Sequence, residues 1–149
     1  MARKDWDRQK VLYWLKARVM MLEEGHDTYE ANDFARIVLT GEDLRYFDLD
    51  QINFEGADLW KVDLRGVNLL RARLKGANLK EARLDGAKLQ YADLQNVNLR
   101  RASLCNADLR NADLRDADLR FADFSGANLQ GANLQGVDRR EAIFLNTKQ

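Results

Sequence analysis

The chain lacks proline, has one cysteine and one histidine, and carries no net charge, with 24 lysines and arginines against 24 aspartates and glutamates. Each scarcity excludes something. A single thiol, Cys105, cannot close an intramolecular disulfide, and one cysteine with one histidine, His26, makes no metal-ligand cluster. No cofactor is expected, and a lone thiol fits a reducing cytoplasm, so the expected location is cytoplasmic. The charges also balance within segments, seven of each sign in residues 1–41 and seventeen of each in 42–149. Without a basic or acidic tail, nucleic acid is not an indicated partner. Long apolar runs are missing too. The nearest candidate, Val11 to Leu22, is broken by Lys16 and Arg18, which argues against a secretory leader and a membrane span. The absence of proline points to regular elements throughout, with few irregular loops.

What is present is a repeat. From Ile37 to Asn146 the chain divides into twenty-two pentads with no insertion. The third residue of the pentad is Leu in eighteen, Phe in three and Arg in one, Arg139. The first is Ala in fourteen, Val in four and Ile in two, with Glu42 and Phe47 as exceptions. The second is Asp or Asn in sixteen. Such self-similarity decides the architecture before local propensity does.

A period of five suits neither ordinary element. On a helix, residues two apart point about 200° apart, so the first and third positions would face opposite sides. On a long strand, residues five apart alternate faces. Both spacings are met if positions one and three share the inward face of a short extended segment and the last two residues turn a corner. Glycine or asparagine at many fifth positions, such as Gly56, Gly126 and Asn106, supports the corner, because both tolerate positive φ.

Segments such as Ala107-Asp108-Leu109-Arg110-Asn111 and Ala127-Asn128-Leu129-Gln130-Gly131 resemble the pentapeptide-repeat family, with consensus Ala-(Asp/Asn)-Leu-X-X. The resemblance covers about three quarters of the chain. It implies an all-β solenoid, a right-handed quadrilateral β-helix with four pentads per coil. It also implies a bacterial, non-enzymatic protein-binding or scaffolding module. An alternative within the family is protection or inhibition of DNA gyrase by imitation of DNA. Zero net charge and the lack of a C-terminal helix disfavour that alternative.

Residues 1–36 do not fit the repeat. Val11, Leu12, Leu15, Val19 and Leu22 share one face of a helix expected from about Lys4 to Glu24, ended by Gly25. Asp27 and Glu30 resemble a capping box for a second, short helix carrying Ala31, Phe34, Ala35 and Val38 on one face. The expected organisation is a two-helix cap over 1–36, a β-helix over 37–146 and a tail over 147–149. The cap would cover the open edge of the first coil. A second apolar stripe, Trp6, Tyr13 and Met20, is a candidate docking face.

No enzyme is expected: the sequence shows no phosphate loop, no metal spacing and no assembled nucleophile and base. Surface columns carry more information. With twenty residues per coil, Trp60, Lys80, Arg100, Arg120 and Arg140 stack in one column, and Arg101 and Phe121 fall in the next. These seven form a candidate partner-binding edge suited to an acidic protein surface; the alternative is a solvated face whose charge Asp118 and Asp138 nearby compensate. The model also stacks cations on rings one coil apart: Arg71 on Tyr91, Arg101 on Phe121, Lys80 on Trp60. At the far end the pattern decays, with Arg139 in a central slot and Ile143 in an Asp/Asn slot. Ile143 and Phe144 are therefore candidates for self-association, as an end-to-end homodimer through the last coil.

Overall fold

The computed structural model describes residues 34–149. Its architecture follows from how one pentad places its five N–H groups. In Ala57–Lys61, Ala57 donates to the Phe54 carbonyl at 3.0 Å, closing the preceding corner. Asp58 donates down one coil to Ile37 at 2.7 Å, and Leu59 donates up one coil to Asn78 at 2.9 Å. Trp60 donates to its own pentad's Asp58 side chain, N to Oδ1 at 3.3 Å. Lys61 donates up to Lys80 at 3.0 Å. Every donor finds a partner without an ordinary strand pair, as buried backbone requires.

The fourth N–H explains the Asp/Asn slot. It is the one donor of the pentad whose acceptor is a side chain, reached two residues back in an Asx turn. The bond recurs across the repeat, from Arg45 on Asp43 through Arg100 on Asn98 to Arg140 on Asp138.

Parallel bridges link residues twenty apart, from Val38–Asp58 to Asn128–Lys148. One coil is therefore four pentads, and the chain climbs as a four-sided tower. Each corner pairs the third residue's carbonyl with the N–H three residues on. The fifth residue has positive φ at every corner but that of Tyr46, the mark of a type II turn. Gly126 shows why some corners demand glycine. Its φ is +72°, and an added Cβ would collide with Asn106 Oδ1, which lies across the corner from one coil below.

The interior is built of stacked columns. Leu64, Leu84 and Leu104 are each fully buried (0% exposed), as the register requires. A buried leucine contributes about 1.5–3 kcal/mol gross, most of it offset by the entropy of ordering the chain. Rings stack on rings: Phe34 packs on Phe54 at 6.1 Å between centroids, and Phe124 on Phe144 at 5.1 Å, nearly parallel.

Three expectations need adjustment. The coil is already formed at Phe34, which is buried and bonded to Asn53. Phe34 and Val38 therefore do not share a helical face, because Val38 points outward and bridges to Asp58. Burial of central residues is complete through Leu129 but only partial at Leu134 and Phe144. Among the described residues their upper side is uncovered, and Arg139 is exposed, as a guanidinium in an apolar slot must be. The expected helices over 1–33, His26 and the Trp6, Tyr13 and Met20 stripe lie outside the described residues. Among the described residues there is no helix, hence none long and apolar enough to cross a membrane.

Candidate interaction surface

Fourth and fifth positions point outward at the corners, so each corner presents a double column of side chains. The corner that begins with Thr40 and Gly41 carries Trp60–Lys61, Lys80–Glu81, Arg100–Arg101, Arg120–Phe121 and Arg140–Glu141 on successive coils. The seven residues expected to form one edge therefore do share one edge. Trp60 is 36% exposed and Phe121 40%.

This corner has a property invisible in the column of letters. Lys61, Glu81, Arg101, Phe121 and Glu141 all hold positive φ, between 57° and 62°. A left-handed backbone costs a residue with a Cβ roughly 1–2 kcal/mol. The Gly56 and Gly66 corners relieve that cost with Gly, Asn or Asp on most coils, the Gln51 corner does so only from Asn111 upward, and the Trp60 corner has none of these above Gly41. Strain retained over five consecutive coils identifies the edge where side chains at the fifth position are kept.

The edge is less basic than its sequence suggests. Lys61 and Lys80 both approach Glu81, at 3.6 and 3.8 Å. Arg120 and Arg140 fold back on the aspartates of their own pentads, Asp118 and Asp138, each at 2.6 Å. Arg120 also reaches Asp138 at 3.4 Å. These forks hold both carboxyls below the usual carboxylate range, chiefly through the arginine hydrogen bonds, Asp138 at about 2. Among the described residues Arg100 and Arg101 form no ion pair, and Lys61 and Lys80 share the one carboxylate of Glu81.

Of the three expected cation–ring stacks, one forms. The Arg101 guanidinium lies over Phe121 at 5.6 Å. Trp60 is covered by Lys61, its neighbour in sequence, at 4.6 Å and not by Lys80, which Glu81 draws aside. Tyr91 is 58% exposed and takes no cation from Arg71. At the C-terminal end, Ile143 is 50% and Leu145 63% exposed. Ala132, Leu134, Val137 and Phe144 are half-covered there.

Other chemistry is weak. Among the described residues no cluster of His, Cys, Asp and Glu could hold a metal ion. Cys105 is half-buried beside Ser103, Sγ to Oγ at 3.6 Å, and burial pushes its thiol up, away from the reactive thiolate.

Sequence reasoning missed two features of the surface. One is the strained corner, signalled by the absence of Gly and Asn from positions 61 to 141 at intervals of twenty. The other is the fork itself, signalled by Asp two residues before Arg. Arginine fills the fourth position seven times, and six of those pentads carry Asp in the slot. All six fork: Arg45, Arg65, Arg110, Arg115, Arg120 and Arg140. Arg100 follows Asn98 and is the exception.

A twenty-residue coil closed by four turns, most of them Asx-capped, is a pentapeptide β-helix. The model of pentapeptide repeats matches residues 33–69, 68–104 and 98–136, with 8 copies, and the chain belongs to that family. Its fold is the right-handed quadrilateral β-helix. Solved structures agree. The chain is similar to the pentapeptide repeat protein Rfr23 of the cyanobacterium Cyanothece 51142, at 25% identity over 87% of this chain and 98% of that one, with TM-score 0.57. A pentapeptide repeat protein of the Arabidopsis thaliana thylakoid lumen matches at 27% identity, over 80% of this chain and 79% of that one, with TM-score 0.52. Trypsin-treated QnrB1, a plasmid-mediated fluoroquinolone resistance protein, shares the fold at 20% identity and TM-score 0.63, over 74% of this chain and 67% of that one. No curated protein matches the sequence.

Proposed function

We propose that the protein is a non-enzymatic interaction module whose Trp60–Phe121 corner docks a partner protein. The observation that carries this reading is the run of five side-chain-bearing residues at positive φ on that one corner. The Gln51 corner keeps such side chains on three coils, Gln51, Arg71 and Tyr91, before Asn111 and Gly131 take over, whereas the Trp60 corner keeps them on all five above Gly41. The exposed rings of Trp60 and Phe121 and the uncompensated Arg100 and Arg101 supply the kinds of residue that dominate protein interfaces. The gyrase-protecting alternative is weaker. Six of the slot aspartates are masked by arginines of their own pentads, so the faces do not present the bare anionic array that imitation of DNA would need.

Affinity capture from cell extract tests the reading. The comparison is between wild type, the variant Trp60→Ala/Arg101→Ala/Phe121→Ala, and Lys75→Ala on a different corner. A discrete partner retained by wild type and Lys75→Ala but lost by the triple variant is the expected result. Equal capture by all three contradicts it.

The C-terminal coil supports a second contact, between copies of this chain. Inter-coil bonding ends with Leu129 on Lys148, and beyond it Leu134 and Phe144 keep one apolar side uncovered. Two copies meeting end to end by a two-fold axis would cover both ends without open growth. Light scattering over a concentration series should show a dimer that Phe144→Asp abolishes. A wild type that stays monomeric at high concentration rules it out.

A further inference from the structure

In six pentads, five reading Asp-Leu-Arg and one Asp-Arg-Arg, the motif closes on itself: the slot aspartate caps the corner N–H, and the arginine two residues on forks its carboxylate. Arg115 is representative, with Nε on Asp113 Oδ1 at 2.9 Å and Nη2 on Oδ2 at 2.7 Å. Pentad Val97–Arg101 keeps the cap and loses the carboxylate. Asn98 accepts from the Arg100 N–H at 3.1 Å and gives its amide to Asn78 at 3.3 Å. The Arg100 Nε is out of contact with solvent and has no hydrogen-bond partner. Asp118, one coil above, is already held by Arg120. No carboxylate among the described residues forms an ion pair with Arg100. A buried guanidinium donor left without an acceptor is costly, so it stands out in a repeat that satisfies the same donor six other times.

Arg101 adds to this. It is the next residue on the same corner, likewise without a carboxylate, and its guanidinium is braced on the Phe121 ring. Arginine is suited to capture of a carboxylate, and with no internal carboxylate engaging them the guanidinium groups of Arg100 and Arg101 are the ones on this corner left to take one from outside.

We infer that Arg100 and Arg101 form a donor site for a carboxylate supplied in trans, the anchor by which the docking corner recognises an acidic segment of its partner protein. Asn98 fills the slot without supplying a charge, and the partner's Asp or Glu supplies it instead. Charge complementarity selects the partner: an exposed acidic stretch engages Arg100 and Arg101, while the six forked arginines stay occupied. This inference rests on the corner being the docking edge, but its test needs no cellular partner, so the two can fail separately.

The experiment is a titration of the full chain with blocked hexaglutamate, followed through the arginine Nε–Hε resonances in nitrogen-15 spectra. The expected result is saturable shifts at Arg100 and Arg101 with the six forked arginines unmoved. The decisive variant is Asn98→Asp, which completes the internal fork and follows the repeat's own rule, so it should fold as well as wild type. It should weaken hexaglutamate binding by about tenfold or more, since a bidentate charged pair is already made. Shifts spread over all arginines, or binding unchanged in Asn98→Asp, would overturn the inference. So would a thymidine decamer that moves the Arg100 resonance at lower concentration than hexaglutamate, which would assign the corner to nucleic acid.

Discussion

Nε and Nη2 of Arg120 hold the two carboxylate oxygens of Asp118 at 2.8 and 2.6 Å, two residues apart in sequence. That fork, repeated along the tower, ties the fold's stability to pH. Asp43 and Asp138 are held at about 2, against an ordinary 3.8, by hydrogen bonds from Arg45 and Arg140. Asp63, Asp108, Asp113 and Asp118 are lowered for the same reason. A carboxyl whose folded pKa is depressed contributes stability in full above its unfolded pKa and loses it as pH falls through the folded value. Thermal midpoints should therefore be flat from pH 7 to about 5 and fall between about 4 and 2. Removing one fork with Asp113→Asn, which keeps the corner cap, should lower the neutral plateau slightly and shallow the acid fall by the same small amount.

The inside/outside assignment predicts opposite outcomes for neighbours. Leu94 is buried at 1% exposure, and Gln95 is at a corner with its amide on Asp113. Leu94→Lys buries an unpaired charge and should abolish folding, and Leu94→Ala should cost about 2–5 kcal/mol. Gln95→Lys should stay within about 0.5 kcal/mol of wild type, because surface substitutions rarely exceed that. Denaturant melts of the three variants check the ordering.

Two glycines with similar φ separate strain from crowding. Gly76 (φ +66°) has open space where a Cβ would go, whereas Gly126 (φ +72°) faces the Asn106 side chain. Gly76→Ala should cost about 1–2 kcal/mol from backbone strain alone. Gly126→Ala should cost more, and Asn106→Gly in the same chain should remove the excess. Chemical denaturation of the single and double variants measures the difference.

The register was legible from Ile37 to Asn146 because one inward leucine every five residues leaves a single way to fold. Phe34 was not placed in it. Ala31, Phe34, Ala35 and Val38 also fall at helical spacing, and Asp27 with Glu30 mimics a helix start, so the local pattern is ambiguous until Phe54 supplies the ring above. The shared edge of Trp60, Arg101 and Phe121 was legible from the twenty-residue coil. So was part of its charge balance, since Asp118 and Asp138 sit two residues from the arginines they neutralise, whereas Glu81 taking both Lys61 and Lys80 was not. The strain at Phe121 could not be read from its side chain, since tower closure and not propensity imposes positive φ there.

That strain has a consequence for stability and binding together. Arg101→Gly removes a side chain from a left-handed corner at φ 57° and should raise stability by about 1 kcal/mol, less whatever the Phe121 contact returned. The same variant should lose affinity for the acidic peptide. A variant that gains stability and loses binding would show that the corner trades one for the other.

The central claim, that the Trp60–Phe121 corner is where a partner docks, is tested most directly by site-specific photo-crosslinking. A benzophenone side chain would replace Phe121, or the exposed rings Tyr91 or Tyr46 on two other corners. Illumination in cell extract should yield a discrete adduct from the Phe121 position and none from the other two. Adducts of equal yield from all three positions, or from Tyr91 or Tyr46 and not from Phe121, would contradict it.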